Sequence, residues 1–154
     1  MKRIVSGFLA LAVSATLVFV VTNWKHGVTP VHAQGGCSIA TLTSAYAFRD
    51  PAFVAPGHSV NGAEVPAAAV GVFSFDGLGG VSASYTLVIN GAISTSQTGS
   101  GTYTVNSDCT GSVSFTTGDA AGLTFNIIII GGGTEIFGIH TSPGITGAFD
   151  AKKQ

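Results

Sequence analysis

Glu135 is the residue of this chain whose type and neighbours best suit chemistry. It stands after three consecutive glycines and alternates in sequence with Phe137 and Ile139. Because strand side chains alternate between two faces, Glu135 shares a face with these two residues, and we take that face as inward because both are apolar. An inward carboxylate beside apolar walls could act as a general acid or as a hydrogen-bond anchor for a ligand. The plainer interpretation is that Glu135 lies in water at the mouth of the fold.

Two tyrosines face the same interior by the same parity. Tyr85 alternates with Val81 and Leu87, and Tyr103 alternates with Val105. Their hydroxyls could donate hydrogen bonds to a ligand oxygen, although buried tyrosines are more often core rings with a satisfied hydroxyl. The candidate ligand-binding residues of the interior are therefore Tyr85, Tyr103, Glu135 and Phe137.

The outer face of the predicted strands also carries apolar residues. The same alternation places Asn126 and His140 outward, together with the apolar pair Ile128 and Ile130. An exposed apolar pair favours a covering partner, and a second subunit is one candidate. A homo-oligomer is therefore an expectation of the sequence.

No complete catalytic or metal motif occurs in the chain. The Gly-x-Ser-x-Gly, His-Glu-x-x-His, Cys-x-x-Cys and phosphate-loop patterns are all missing. A metal pair of His58 and His140 would need Glu64 or Glu135, and their spacing gives no support for it. The glycines at positions 77, 79, 80 and 131–133 are typical of turns rather than of a calcium or phosphate cradle. We expect no metal and no cofactor, and we assign no catalytic residue.

The first 33 residues have the features of an export signal. Lys2 and Arg3 precede an uncharged, mostly apolar run, Ile4–Val21, and Val31-His32-Ala33 offers a small-x-Ala cleavage site before Gln34. The alternative is an uncleaved anchor, since 18 residues span about 27 Å as a helix. Both interpretations place residues 34–154 outside the cytoplasm, secreted or periplasmic, and membrane attachment follows only if the leader is retained.

Residues 34–154 are acidic and poor in charge. Three basic side chains stand against seven acidic ones, a net charge of −4 with histidine neutral. Such a surface has no basic cluster for nucleic acid or for anionic lipid. The length suits a single core, so we expect one domain over 34–154.

Cys37 and Cys109 are the two cysteines of the chain. In an oxidising compartment an even pair in a small domain usually forms a disulfide. The loop closed would be about 73 residues, for which chain-entropy reasoning gives roughly 4 kcal/mol. The alternative, a lipid-modified Cys37, lacks the apolar residue that such a signal has three positions earlier.

The domain is predicted to be all-β. Short alternating runs are cut by Gly, Asn, Asp and Pro about every ten residues, with one long loop at Asp50–Pro66. Eight or nine strands with short connections favour a closed antiparallel up-and-down barrel of about eight strands, with a β-sandwich as the alternative. The predicted runs are Ile39–Arg49, Ala67–Asp76, Val81–Asn90, Ala92–Gln97, Gly99–Asn106, Cys109–Thr117, Gly122–Ile130, Thr134–Thr141 and Ile145–Ala151.

Three segments resemble secreted bacterial proteins with an allene oxide cyclase-like barrel: CSIATL at 37–42, FDGLGGVS at 75–82 and GTYTVNSDCTGS at 101–112. The resemblance spans most of residues 37–150. It implies a small closed barrel related to lipocalins, with a lumen that takes an apolar molecule, and the plant enzymes of this kind are trimers. No active-site residue of the plant cyclases is carried over to this chain.

Two function classes follow. The first is a secreted or envelope barrel without catalysis that binds a small apolar molecule or acts as an interaction module. The second is a cyclase or isomerase that uses the lumen as a template, for which few polar residues are needed.

Overall fold

The structure, a computed structural model, describes residues 36–57 and 62–154. The leader, its cleavage site and His58 lie outside the described residues. Among the described residues, no helix has the length and apolarity needed to cross a membrane.

Eight antiparallel strands form the described domain, preceded by one turn of 3₁₀-helix at Ile39–Thr41. Each strand pairs with the next in sequence, and the eighth pairs with the first, so the sheet closes on itself. The predicted up-and-down barrel is therefore confirmed, and the sandwich alternative is wrong. The strands are β1 (Thr43–Val54), β2 (Val65–Asp76), β3 (Gly80–Ile89), β4 (Ala92–Val105), β5 (Thr110–Gly118), β6 (Thr124–Ile130), β7 (Glu135–His140) and β8 (Ile145–Lys153).

The hairpin between β3 and β4 shows how turn residues close this barrel. Asn90 and Gly91 are its two connecting residues, with φ of 50° and 82°. Two positive φ values in succession match the right-handed twist of the flanking strands, and Asn-Gly is the dipeptide that adopts them most readily. The tight turn predicted here is confirmed.

The largest differences from the predicted strand boundaries are in β1 and β4, whereas most other boundaries shift by one or two residues. β1 runs on to Val54 through Pro51, which was placed in a long loop. Proline has no N–H to donate to a neighbouring strand. The pairing of β1 with β8 is interrupted between Arg49 and Ala52, so no N–H donor is needed at Pro51. As a consequence Asp50 belongs to a strand, and it follows Tyr46 and Phe48 on the inward parity.

β4 is one strand of 14 residues, whereas two separate runs were predicted. Its register shifts twice, opposite Tyr85 and Leu87 of β3 and between Ser100 and Gly101. An extra residue in one strand bends that strand without ending it. The irregular sequence around Ser96 therefore predicted a break between two strands, although the pairing continues past it.

Aromatic rings fill much of the barrel interior. Phe48 and Phe73 stack with ring centroids 4.0 Å apart, and Phe149 meets Phe73 edge-on at 5.5 Å. Phe115 and Phe125 meet edge-on at 6.3 Å. Offset and edge-on pairs of this kind are favourable beyond the area that they bury.

One end of the barrel, which we call the plugged end, is closed by the chain before β1. Leu42 is fully buried there, and the Tyr103 hydroxyl shares its one proton between the carbonyl oxygens of Ile39 and Leu42, at 2.9 and 3.0 Å. The Tyr46 hydroxyl donates to the carbonyl of Gly133 at 2.5 Å. The segment is also cross-linked, since Cys37 and Cys109 form a disulfide as predicted.

The facing predicted for β7 is wrong. Phe137 and Ile139 are exposed, and Glu135 shares their outer face beside Lys152, with Oε1 3.4 Å from Nζ. The cause lies in the turn before the strand. Ile130 points outward on β6 and pairs directly with Glu135, so the register carries Glu135 to the same outer face.

The inward residues of β7 are Ile136, Gly138 and His140. His140 was predicted to face outward, and this is corrected by a side chain that is 3% exposed. Gly138 faces inward by the same alternation, and a larger residue does not fit there because its Cβ would overlap the Phe149 ring. The apolar character of Phe137 and Ile139 was therefore a misleading guide to their facing.

Candidate functional site

The main candidate site is a groove on the outer face of the barrel, across strands β4 to β7. Its volume is about 590 Å³. We call it the outer groove and define it by the residues that line it: Thr104, Asn106, Thr110, Gly111, Ser112, Asn126, Ile127, Ile128, Phe137, Gly138 and Ile139.

One wall of the outer groove is apolar. Ile128 and Phe137 are cross-strand partners on β6 and β7, and Ile139 pairs with Asn126 one step along. The three apolar side chains are 55%, 45% and 56% exposed, in the order Ile128, Phe137 and Ile139. Contiguous exposed apolar side chains mark a binding face, because monomeric soluble proteins rarely leave large patches of them in water.

The opposite wall, on β4 and β5, is polar and uncharged. The hydroxyls of Thr104 and Ser112 lie 2.9 Å apart, and the Asn106 amide donates to the Thr110 hydroxyl at 2.9 Å. Thr110 also donates to Asp108 at 2.6 Å. These mutual hydrogen bonds hold the wall in place.

Asn126 stands between the two walls. It is exposed, as predicted, and pairs with Ser112 on one side and Ile139 on the other. Its side-chain amide makes no hydrogen bond within the described part of the chain, so both its donor and its acceptor are open to a ligand. It is the natural polar anchor of the groove.

The four predicted ligand residues separate. Phe137 lines the outer groove, and Glu135 lies on the same face beyond the groove lining, near Lys152. Tyr103 is in the plugged end, where its hydroxyl is used by the fold. Tyr85 lines a small interior space at the other end of the barrel. No two of these four residues therefore lie together in one site inside the barrel.

That other end, which we call the polar end, holds two residues that the sequence analysis missed. Asp50 and His140 face inward and meet there, with Asp50 Oδ2 2.8 Å from His140 Nε2. Their side chains are 12% and 3% exposed. Asp50 was assigned to a loop and His140 to the outer face. Extending the parity of Tyr46 and Phe48 past Arg49 would have found Asp50.

Burial raises the pKa of all three inward tyrosines. For Tyr85 the second cause is the negative charge of Asp119, and for Tyr46 it is Tyr103. For Tyr103 burial also outweighs a backbone hydrogen bond that acts in the opposite direction. Each hydroxyl therefore stays protonated near neutral pH and is available as a hydrogen-bond donor.

The described residues contain no group of three or more His, Cys, Asp or Glu side chains that could hold a metal ion. No family model, no curated protein and no solved structure matches the chain.

Proposed function

We propose that this protein is an extracytoplasmic binding module, without catalysis, that holds a small, neutral, apolar molecule in the outer groove. The observation that carries the proposal is the exposed wall of Ile128, Phe137 and Ile139 facing a hydroxyl and amide wall across about 590 Å³. A concave site with apolar walls and a few fixed polar groups is the usual form of a small-molecule site.

The size of the outer groove and the lack of charge in its lining limit the class of ligand that it can hold. Small-molecule sites commonly measure about 300–1,000 Å³, and the outer groove is within that range. No charged side chain lines it, although residues 34–154 carry a net charge of −4. The absence of a counter-ion in the lining disfavours a charged ligand, because its desolvation would go uncompensated. An elongated neutral molecule with one hydrogen-bonding group for Asn126 fits best.

Two features support the extracytoplasmic location in this proposal. A disulfide packed against the core indicates an oxidising environment. Export by a cleaved leader, with secretion or periplasmic release, is the second feature and depends on the sequence of residues 1–33. The resemblance to secreted allene oxide cyclase-like barrels agrees with both and with the barrel architecture.

We favour binding over a cyclase or isomerase that templates its substrate in the lumen. The plugged end is closed by Leu42 and the tyrosine hydrogen bonds, and stacked rings occupy the middle of the barrel. The interior space at the polar end measures about 30 Å³, too small for the flexible chain that a cyclase folds.

The test uses the exported full-length gene product, purified without detergent. Nile red, a neutral apolar dye, is titrated into the protein, and native mass spectrometry identifies any molecule that copurifies. Phe137→Ser should weaken dye binding roughly 10- to 100-fold, since burying a large apolar side chain is worth about 1.5–3 kcal/mol. Asn126→Ala should alter the affinity of ligands with a hydrogen-bonding group and leave that of pure hydrocarbons unchanged.

Ile93→Ser is the matched control. Ile93 is an exposed strand isoleucine, 69% accessible, outside the groove lining. Equal losses in Ile93→Ser and Phe137→Ser would show that the dye binds exposed apolar surface generally, and the proposal would fail. No saturable binding by the unaltered protein would have the same consequence.

A further inference from the structure

A second groove lies on the outer face of the barrel, across strands β2 to β4 near the plugged end. Its volume is about 350 Å³. We call it the Asp76 groove and define it by the residues that line it: Ser74, Phe75, Asp76, Gly80, Val81, Ser82 and Gly101. Phe75 and Val81 turn their side chains into the core, and the two glycines have none. The floor is therefore peptide backbone, and the side chains that face solvent in the lining are those of Ser74, Asp76 and Ser82.

The Asp76 carboxylate is held over this floor. Its Oδ1 accepts hydrogen bonds from the backbone N–H groups of Leu78 and Gly80, at 2.7 and 2.9 Å. A Cβ added at Gly80 would lie 2.5 Å from Oδ2, so the second carboxylate oxygen takes the place of a side chain there. Gly80 has no positive φ, so its backbone conformation does not itself require glycine. The missing side chain instead leaves room for the carboxylate.

The charge of this carboxylate is not balanced by a neighbouring side chain. The hydrogen bonds from Leu78 and Gly80 hold the pKa of Asp76 below 3.8, so the group is ionised at neutral pH. The ion pairs of the described residues use three other acids, Asp50, Glu135 and Asp150. Both turn hydrogen bonds of Asp76 end on Oδ1, which leaves the charged Oδ2 to the groove.

Two serine hydroxyls stand beside the carboxylate. Ser74 and Ser82 are cross-strand partners on β2 and β3, and both are exposed. Side chains of directly opposed residues lie about 5 Å apart, and a serine hydroxyl can donate or accept a hydrogen bond. Neither hydroxyl has a hydrogen-bond partner within the part of the chain that the structure describes. The groove therefore presents one charged acceptor next to a pair of free hydroxyls.

We propose that the Asp76 groove binds an amino sugar that has a free amine. The ammonium donates to Asp76 Oδ2, and the hydroxyl on the neighbouring sugar carbon exchanges a hydrogen bond with Ser74 or Ser82. An acidic sugar would be repelled by Asp76, and an apolar molecule would displace water from the carboxylate without replacing its hydrogen bonds. One sugar ring suits about 350 Å³, near the lower end of the range for small-molecule sites. This site is separate from the outer groove and does not rest on the proposed function.

The probes are glucosamine, glucose and N-acetylglucosamine, titrated at pH 6 into the isotopically labelled exported protein and followed by the backbone amide signals in NMR spectra. A primary amine is protonated at this pH. We expect glucosamine to give saturable shifts at Leu78, Gly80 and Ser82. The other two sugars lack the charge, so their affinity should be about 2- to 5-fold lower, the effect of an exposed ion pair. Ethylamine, which has the charge but no hydroxyl, should also bind more weakly than glucosamine.

Asp76→Asn keeps a side-chain carbonyl oxygen for the two turn amides and removes the charged oxygen. It should bind glucosamine no more tightly than glucose. Asp119→Asn is the matched control, because Asp119 is also exposed and its Oδ2 accepts the N–H of Thr98 at 2.8 Å, but it lies at the polar end. This control should bind glucosamine like the unaltered protein. Ser82→Ala, which loses no hydrogen bond of the fold, should weaken glucosamine about 2- to 10-fold.

Phe137→Ser, in the outer groove, should leave glucosamine binding unchanged, which separates the two sites. Three results would each overturn the assignment of an amino sugar: no saturable shift at the Asp76 groove, glucose or ethylamine binding as tightly as glucosamine, or an equal loss of affinity in Asp119→Asn and Asp76→Asn. A Ser82→Ala variant that binds glucosamine as tightly as the unaltered protein would refute the placement of the sugar beside the serines.

Discussion

The disulfide between Cys37 and Cys109 gives the sharpest prediction about stability. The two residues are 72 positions apart. Cross-linking a loop of that length lowers the entropy of the unfolded chain by an amount worth about 4 kcal/mol. The segment before β1 has a second attachment, because the Tyr103 hydroxyl shares its proton between the carbonyl oxygens of Ile39 and Leu42. We therefore expect Cys37→Ser to fold, with a free energy of unfolding lower by about 4 kcal/mol.

The backbone at Cys109 refines this expectation. Its φ is +67°, in the left-handed region that costs a residue with a Cβ about 1–2 kcal/mol. Glycine adopts the same conformation at no such cost. Cys109→Gly should therefore break the disulfide and recover about 1 kcal/mol, for a net loss of about 3 kcal/mol. Cys109→Ser should match Cys37→Ser.

Urea unfolding followed by circular dichroism measures all three variants, with the unaltered protein in reductant as a further control. A loss below about 1 kcal/mol in Cys37→Ser would refute the loop-entropy reasoning. A Cys109→Gly variant as unstable as Cys109→Ser would refute the argument from the backbone.

Three further predictions concern single side chains. Tyr103→Phe should lower the free energy of unfolding by about 1–3 kcal/mol because two carbonyls lose their donor, whereas Tyr85→Phe should change it little; thermal unfolding compares the two, and equal losses would contradict the hydrogen-bond assignment. Gly138→Ala should cost about 1–3 kcal/mol, since its Cβ overlaps the Phe149 ring, and an unchanged melting temperature would show that the ring moves freely. Two backbone amides of its own turn hold the pKa of Asp76 below 3.8, so its contribution is complete above about pH 4 and is lost as pH falls through the lowered value. Asp76→Asn should flatten the dependence of stability on pH below about pH 4, and an identical profile would contradict this.

The sequence by itself determined the architecture. Alternation with period two, turn residues about every ten positions and Asn90-Gly91 predicted sequential hairpins, and hairpins between all neighbours favour a closed barrel. These signals are local, since each depends on residues only a few positions apart. The disulfide was also predictable, because the chain holds just two cysteines and neither has another partner.

The sequence also located the apolar outer surface in part. Ile128 and Ile130 were placed outward by parity, and the structure exposes both. The sequence nevertheless predicted only part of the apolar wall, because Phe137 and Ile139 were assigned to the interior. Hydrophobicity alone cannot distinguish a core residue from one in an exposed binding face.

Only the tertiary structure decided which face of β7 points inward. The facing of that strand is set by the pairing of Ile130 with Glu135 across a four-residue turn, Gly131–Thr134, whose three glycines all have positive φ. A change of one residue in that turn would invert every side chain of the strand, and the sequence does not reveal the count of turn residues. The meeting of Asp50 with His140, 90 positions apart, follows from the same closure of the barrel and has no local signal.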